Sequence, residues 1–248
     1  MLIPLSSRTR EIILGSLLGD GSLAVSKKYK NARFSFRHSQ KQKEYFFWKA
    51  RELKEISSGR SWWLQQDSFG RDGWGGPKYR YQSRALPALT DMHRLVNVRS
   101  RSNKAKVRRK WLNQLSELSL AIWWQDDGSL VSDTRQGVIC TDGFSLGEIK
   151  ILERYMKKVW NVTFSIGRVA HTERYRLWMR STQELAKFLE IIIPYVYTEP
   201  MLYKILLCYK NIDYQERWIS EVMSRGNFSE NTVRRVLEKR KKTLKNFR

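Results

Sequence analysis

The stretch LAIWWQDDGSL, residues 120–130, runs from an apolar segment long enough for a buried helix into two adjacent aspartates, a glycine and a serine. Carboxylates at the C-terminal end of a helix stand at the negative pole of its macrodipole, where anions are disfavoured. Acids placed there call for a cation. The chain does this twice: residues 13–23 read ILGSLLGDGSL, and both runs end in Asp-Gly-Ser-Leu, at Asp20 and Asp127, 107 positions apart. Two such carboxylates brought close repel each other, and divalent cations supply the compensation. Mg²⁺, with Mn²⁺ as a substitute, is the natural candidate, since it takes few carboxylates, keeps waters and binds phosphate oxygens. Metal ions so held activate water on one side of a phosphodiester and stabilise the leaving oxygen on the other.

The elements that must position these acids also come in duplicate. After Asp20-Gly21-Ser22-Leu23, the segment KNARFSFRHSQ (30–40) alternates Phe34 and Phe36 with Arg33, Ser35 and Arg37, as in a strand with one buried face. QKEYFFWKARELKEI (42–56) has helical spacing at Phe46, Lys49/Ala50 and Leu53. YRYQSR (79–84) sets Tyr79, Tyr81 and Ser83 against Arg80, Gln82 and Arg84, and the helix-like ALPALTDMHRLV follows. The second half repeats the order. GVICTD (137–142) is strand-like, and SLGEIKILERYMKKVW (145–160) opens with the capping box Ser145-x-x-Glu148. VTFSIGRV (162–169) alternates Val162, Phe164 and Ile166 with Thr163, Ser165 and Gly167. YRLWMR (175–180) matches YRYQSR, and QELAKFLEII closes the half.

Each half therefore reads helix, two strands, helix, two strands, helix, with the helices on one sheet face. The expected fold class is α+β, two pseudo-symmetric αββαββα halves at 1–110 and 111–212, followed by a basic extension at 213–248. The two Tyr-Arg-x-x-x-Arg segments lie 96 apart, so the first half carries extra loop, placed in SFGRDGWGGPK (68–78). Its glycines do not follow a strand and open a helix, which favours a hairpin tip over a phosphate cradle. Equivalent helices of two pseudo-symmetric halves meet at a shared axis. Gly15 and Gly19, four apart, and Ala121 leave room for that contact, and parallel packing is expected to set Asp20 beside Asp127. A pair of equivalent sites suits cutting both strands of a duplex.

Composition narrows the partners. Forty-seven Lys and Arg against 24 Asp and Glu leave a formal charge of +23, a field kept when a polyanion neutralises it. Nucleic acid is the leading partner, and no basic amphipathic helix with a broad apolar face supports a membrane instead. With 41% hydrophobic residues, the 248-residue chain has the means to build a core. The start MLIPLSSRTREII lacks the pattern of a signal or transit peptide, and Cys140 and Cys208 are too few for a disulfide framework or a cysteine zinc site. Both features fit an intracellular, reducing compartment. His38 on a strand and His171 near a turn are candidate phosphate contacts and His93 reads as helix surface, but none has metal-ligand spacing, which disfavours a zinc or H-N-H nuclease. The outward strand faces carry Arg33, Ser35, Arg37, Arg80, Gln82, Arg84, Thr163, Ser165, Arg176, Trp178 and Arg180. One such face is ordinary solvated surface; its recurrence in both halves points to DNA, with Arg and Gln reading base edges in the major groove.

ILGSLLGDG and LAIWWQDDG resemble the two signature motifs of a single-chain LAGLIDADG homing endonuclease, and the resemblance spans roughly residues 10–210. It implies two αββαββα halves with the signature helices at the central interface and saddle-shaped sheets on the major groove. It also implies cleavage of both strands across the minor groove by a monomer. The family's essential metal-binding acid falls on Asp20 and Asp127, and the preceding residue, which often assists, is Gly19 or Asp126. The family's catalytic lysine matches Lys204 in EPMLYKIL. In the first half it falls in SNKAKVRRKW, at Lys104 with Lys106 as the other register. Such a lysine orients the attacking water or stabilises phosphorane charge; the alternative is a plain phosphate contact. Trp123 and Trp124 are bulkier than the family's motif. Outside the resemblance, RRVLEKRKKTLKNFR (234–248) carries eight basic residues against one acidic. It is either extra backbone-binding surface or a partly ordered tail, with a helix capped by Ser229 or Asn231. The rival readings are an RNA maturase acting on intron RNA and a non-catalytic DNA-binding regulator; the intact acids favour the nuclease over both.

Overall fold

The structure, a computed structural model, describes residues 4–26, 28–66, 76–96, 105–244 and 247. The loop expected at 68–78 lies largely outside them. Two compact units are present, Met1–Ser119 and Leu120–Arg248.

Unit 1 runs α1 (Ser7–Leu18), β1 (Ser22–Ala24), β2 (Arg33–Ser39), α2 (Lys43–Glu52), β3 (Trp62–Gln65), β4 (Lys78–Gln82), α3 (Pro87–Val96) and the short α4 (Arg109–Leu112). Its antiparallel sheet has the order β1-β2-β4-β3. The Ser6 hydroxyl caps α1 by accepting from the Thr9 N–H. Ile12, Ile13, Leu14, Leu17 and Leu18 are all buried, so α1 is enclosed around its circumference from Ile12 onward, while Arg8 and Arg10 in its first turns are exposed. Gly15 permits its closest approach. A Cβ there would lie 2.3 Å from the Ser119 carbonyl oxygen, and the Ser119 hydroxyl donates to the Glu11 carbonyl at 2.9 Å.

The period-2 reading of the first half holds. Phe34, Phe36 and His38 of β2 face the core, while Arg33, Ser35 and Arg37 lie on the other side. Phe36 stacks on Tyr81 of β4 at 4.9 Å between centroids and tilts against Phe46 of α2 at 5.2 Å. β3 has no alternation to announce it: Trp62, Trp63 and Leu64 are all exposed, Trp62 by 47%. Arg84 lies beyond the end of β4 and donates to the Glu55 carbonyl at 2.7 Å.

Unit 2 repeats the plan. α5 (Glu117–Asp127), in which the division of the chain falls, leads to β5 (Gly128–Val131), β6 (Gln136–Ile139), α6 (Leu146–Trp160), β7 (Ser165–Arg168), β8 (Tyr175–Met179) and α7 (Thr182–Ile192). The sheet order β5-β6-β8-β7 copies that of unit 1. The capping box at Ser145 and Glu148 is present, and Asn161 ends α6 in the left-handed region, φ 54°. β7 is shorter than its apolar alternation suggests. Thr163 precedes it, and its N–H donates to Glu184 at 2.6 Å. α8 (Ile212–Arg225) and α9 (Glu230–Lys241) belong to the same compact unit. Ser229 caps α9, while Val233 and Leu237 are buried, so this part of the extension is packed helix rather than tail. Among the described residues, no helix is long and apolar enough to cross a membrane.

Gly15→Ala forces the Ser119 backbone away and is expected to cost about 1–3 kcal/mol of unfolding free energy in a denaturant titration. Gly147→Ala, in the first turn of α6 with nothing within 4 Å of the added methyl, should be neutral or stabilising by up to about 1 kcal/mol. Equal effects would contradict the close approach at Gly15. Burial pushes the Tyr81 hydroxyl up to about 12, although its bond to Ser57 opposes the shift. Because the folded value exceeds the ordinary value of 10.0, the neutral phenol's contribution is intact below that pH and is lost as pH rises through about 12. Stability measured across that window should fall less in Tyr81→Phe than in the native chain.

Candidate active site

In unit 1 the chain turns back on α1 at once. The N–H groups of Gly19 and Gly21 donate to the Ser16 carbonyl at 3.0 and 2.6 Å. A Cβ on Gly21 would lie 2.7 Å from both Ser16 Cβ and Ser16 O, so this turn needs glycine. It leaves the Asp20 carboxylate at the helix end, its side chain 41% exposed. His38 Nδ1 stands 3.3 Å from Asp20 Oδ2. The imidazole is wholly buried, with Phe36 at 5.3 Å and Tyr45 at 4.9 Å between ring centroids. Lys49, on the inner face of α2, is also buried, its ammonium 4.7 Å from the Tyr45 ring and 5.0 Å from that of Phe36.

In unit 2 Asp127 is the last residue of α5, and Asp126 and Asp127 are both half-buried. A Cβ on Gly128 would lie 2.2 Å from the Trp124 ring, so the strand must start with glycine. Lys204, only 5% exposed, arrives on the short 3₁₀ helix Glu199–Lys204. Its ammonium donates to the Gln125 carbonyl at 2.5 Å and lies 3.4 Å from that of Asp126, while its own carbonyl accepts from Trp124 Nε1 at 2.9 Å. One lysine thus ties down the last turn of α5 and sets a positive charge at the helix pole where the acids stand. Trp124 turns into the core of this unit, 5.4 Å from Phe188.

The matching strands differ chemically beyond the acids. β1 and β2 pair Ser22 with Ser35, which by continuation sets Gly21 opposite Phe36, as Gly128 stands opposite Ile139. Two residues further along are His38 in unit 1 and Thr141 in unit 2. The Thr141 hydroxyl donates to the Tyr175 carbonyl at 2.6 Å. Cys140, between them in register, donates its N–H to the Asp127 carbonyl, and burial foremost pushes its thiol up, with Asp127 and Asp142 adding to the shift.

The strand-face residues are ordered by one another. Arg33 lies over the Tyr29 ring at 3.6 Å and reaches Gln82 at 3.3 Å, while Arg80 lies 5.4 Å from the Trp63 ring. Arg180 donates to Ser165 at 3.2 Å and lies 5.1 Å from the Trp178 ring. Ser35 is half-buried and Arg37 is exposed. Arg176 makes a bidentate pair with Asp142 at 2.8 and 2.9 Å, which raises its already high pKa. Arg84 and Thr163 stand outside the strands. Lys104 lies outside the described residues; Lys106 is exposed, and its N–H donates to the Val96 carbonyl at 2.8 Å. Sequence reading missed Asp142 and Trp63, both set by pairing partners, offered His38 only as a phosphate contact and left Lys49 without a role.

These donors suit a divalent ion. An exposed carboxylate at the end of α1, and two half-buried carboxylates at the end of α5, are hard oxygen ligands with open sides.

Residues 10–188 match the family described as LAGLIDADG DNA endonuclease. The chain is 30% identical over 216 residues to protein RecA of Mycobacterium gastri, a match covering 82% of this chain and 48% of that protein. It therefore spans about half the length of such relatives. It is 25% identical over 204 residues to the cytochrome b mRNA maturase bI2 of Debaryomyces hansenii, covering 82% of this chain and 75% of the relative. Among solved structures it resembles the homing endonuclease I-WcaI bound to its DNA recognition sequence. The TM-score is 0.71 at 22% identity, over 84% of this chain and 89% of that one, a likeness of fold.

Lys204→Met keeps the apolar stem and removes the ammonium from the two carbonyls. A loss of about 1–3 kcal/mol in unfolding free energy is expected, since one lost charged hydrogen bond in a buried setting costs that much. An unchanged denaturation midpoint would show that the lysine does not hold the end of α5.

Proposed function

Because the chain belongs to the LAGLIDADG DNA endonuclease family, we propose that it is a homing-type nuclease that cuts both strands of a long duplex target, acting as a monomer with divalent metal. The observation that carries this reading is the acid at the same motif position in each of two repeated units, Asp20 after α1 and Asp127 at the end of α5.

In this mechanism Asp20 and Asp127 hold the ions, helped by the Gly19 carbonyl and by Asp126. Mg²⁺ or Mn²⁺, when bound, lowers the pKa of a water and neutralises charge on the scissile phosphate and the leaving oxygen. The Lys204 ammonium keeps the last turn of α5 in place, so that Asp127 presents a fixed carboxylate. Lys104 or Lys106 would supply positive charge to the phosphate in unit 1. Other arginines and lysines contact phosphates, while Arg33, Ser35, Arg37, Arg80, Gln82, Ser165, Trp178 and Arg180 meet base edges and sugars. Arg176 joins them through the Asp142 pair, which fixes its plane. Arg84 and Thr163, off the strands, would contact the flanking backbone.

The likeness to a maturase supports a second reading, assistance to the splicing of an intron RNA. The intact acid pair favours DNA hydrolysis.

Duplexes selected for binding from a randomised library provide the test. The native chain is expected to cut both strands in Mg²⁺, and Asp20→Asn with Asp127→Asn to bind the same duplex without cutting. A double variant that still cuts in Mg²⁺ would overturn the assignment of the acids, and a native chain that binds intron RNA but cuts no duplex would favour the maturase. Affinity should drop by about 10³–10⁵ between 50 and 200 mM salt if about 6–10 phosphates are contacted.

A further inference from the structure

We propose that His38 is a direct nitrogen ligand of the metal ion held at Asp20, so that unit 1 has a mixed imidazole–carboxylate site where unit 2 offers the carboxylates of Asp126 and Asp127. The inference rests on the reading that Asp20 binds a divalent cation.

His38 is the last inward-facing residue of β2, and its imidazole has no exposed surface. Phe36 and Tyr45 lie within 5.3 Å of its centroid and Phe46 within 6.4 Å, so an aromatic wall sets the plane of the ring. Burying an imidazole among aromatic rings costs free energy that a phenylalanine in the same place would not, unless its nitrogen has a task. The nitrogen stands beside the motif carboxylate, with Nδ1 3.3 Å from Asp20 Oδ2.

That separation suits a shared ion. Two donors each about 2.1 Å from one cation, at an angle near 100°, lie about 3.2 Å apart, which is an ordinary angle for four- or six-coordinate metal. One ion could therefore touch both atoms without a rotamer change in the buried ring. Asp20 remains 41% exposed, leaving room on the outer side for water and a phosphate oxygen.

The repeat supplies an internal control. The register-equivalent residue in unit 2 is Thr141, whose hydroxyl is committed to the Tyr175 carbonyl. It offers no nitrogen, and the cationic group nearest the end of α5 is instead the Lys204 ammonium on the carbonyls of Gln125 and Asp126. Imidazole donors favour Mn²⁺, Co²⁺ and Zn²⁺ over Mg²⁺ relative to an all-oxygen set. Unit 1 should therefore discriminate less strongly in favour of Mg²⁺ than unit 2.

The chain loaded with Mn²⁺ and examined by electron spin-echo spectroscopy tests this without recourse to activity. The native protein should show modulation from a coordinated ¹⁴N that changes when histidine is ¹⁵N-labelled. His38→Phe, which preserves the aromatic wall, should abolish it, whereas His93→Gln and His171→Gln should not. Titration calorimetry should show Mn²⁺ affinity falling about tenfold or more in His38→Phe, with Mg²⁺ affinity falling less. Labelling the native chain needs no substitution, so the result stands even if His38→Phe fails to fold. Asp20→Asn separates the two ideas. If it weakens Mn²⁺ binding while the native spectrum contains no histidine nitrogen, His38 is not a ligand and the proposed nuclease site survives. If Asp20→Asn leaves Mn²⁺ binding intact, the metal role of Asp20 fails, and the role of His38 fails with it.

Discussion

Negative charge at the carbonyl end of a buried helix is the constraint around which both units are built. The last two turns of α1 and most of α5 are buried on all sides, so neither helix can rotate or slide to relieve an unfavourable charge at its end. The acids stay because the surroundings answer them. In unit 2 the answer is the Lys204 ammonium on the last carbonyls of α5. In unit 1 it is a buried imidazole 3.3 Å from the carboxylate. Equivalent backbone geometry thus carries different chemistry, which a single chain with two diverged repeats permits and a symmetric dimer of one repeat does not.

Rigidity behind the acids comes from close packing rather than from many polar links. Gly15 meets the Ser119 backbone, Gly21 meets Ser16, and Gly128 meets the Trp124 ring; at each point a methyl group would collide. Such contacts fix the helix ends, and the following strand starts at Ser22 after α1 and at Gly128, directly after α5. The sheet faces away from the core follow a softer rule. Guanidinium groups rest on Tyr29, Trp63 and Trp178 or pair with Asp142, so their planes are set before a partner arrives. A chain with a +23 charge gains affinity for a polyanion from charge alone, but orientation of this kind is what allows bases to be distinguished.

Much of this was legible from local pattern. The alternation of Phe34 and Phe36 with arginines located β2, the Ser145–Glu148 box located the start of α6, and the repeated Asp-Gly-Ser-Leu located both acids. These signals are local because period, caps and helix ends are encoded within a few residues. Other features were not legible. β3 is a short strand with three consecutive exposed apolar residues, which breaks the period-2 rule. In the extension the helix capped by Ser229 was legible, but not that Val233 and Leu237 are buried within unit 2. Lys204 bonds a carbonyl 79 residues away and Arg176 an aspartate 34 residues away, distances over which sequence spacing carries no geometric information. His38 looked like an isolated strand histidine because its partner, Asp20, lies on another element. The bulk of Trp124 found its place in the core of unit 2 beside Phe188.

The central claim is that each motif acid binds a divalent cation. Crystals of the chain on a selected duplex, grown with Mn²⁺ and measured at the manganese absorption edge, address it most directly. Anomalous peaks at direct-coordination distance from the carboxylates of both Asp20 and Asp127 are expected. Manganese absent from both carboxylates, in crystals that show the ion bound elsewhere, would contradict it.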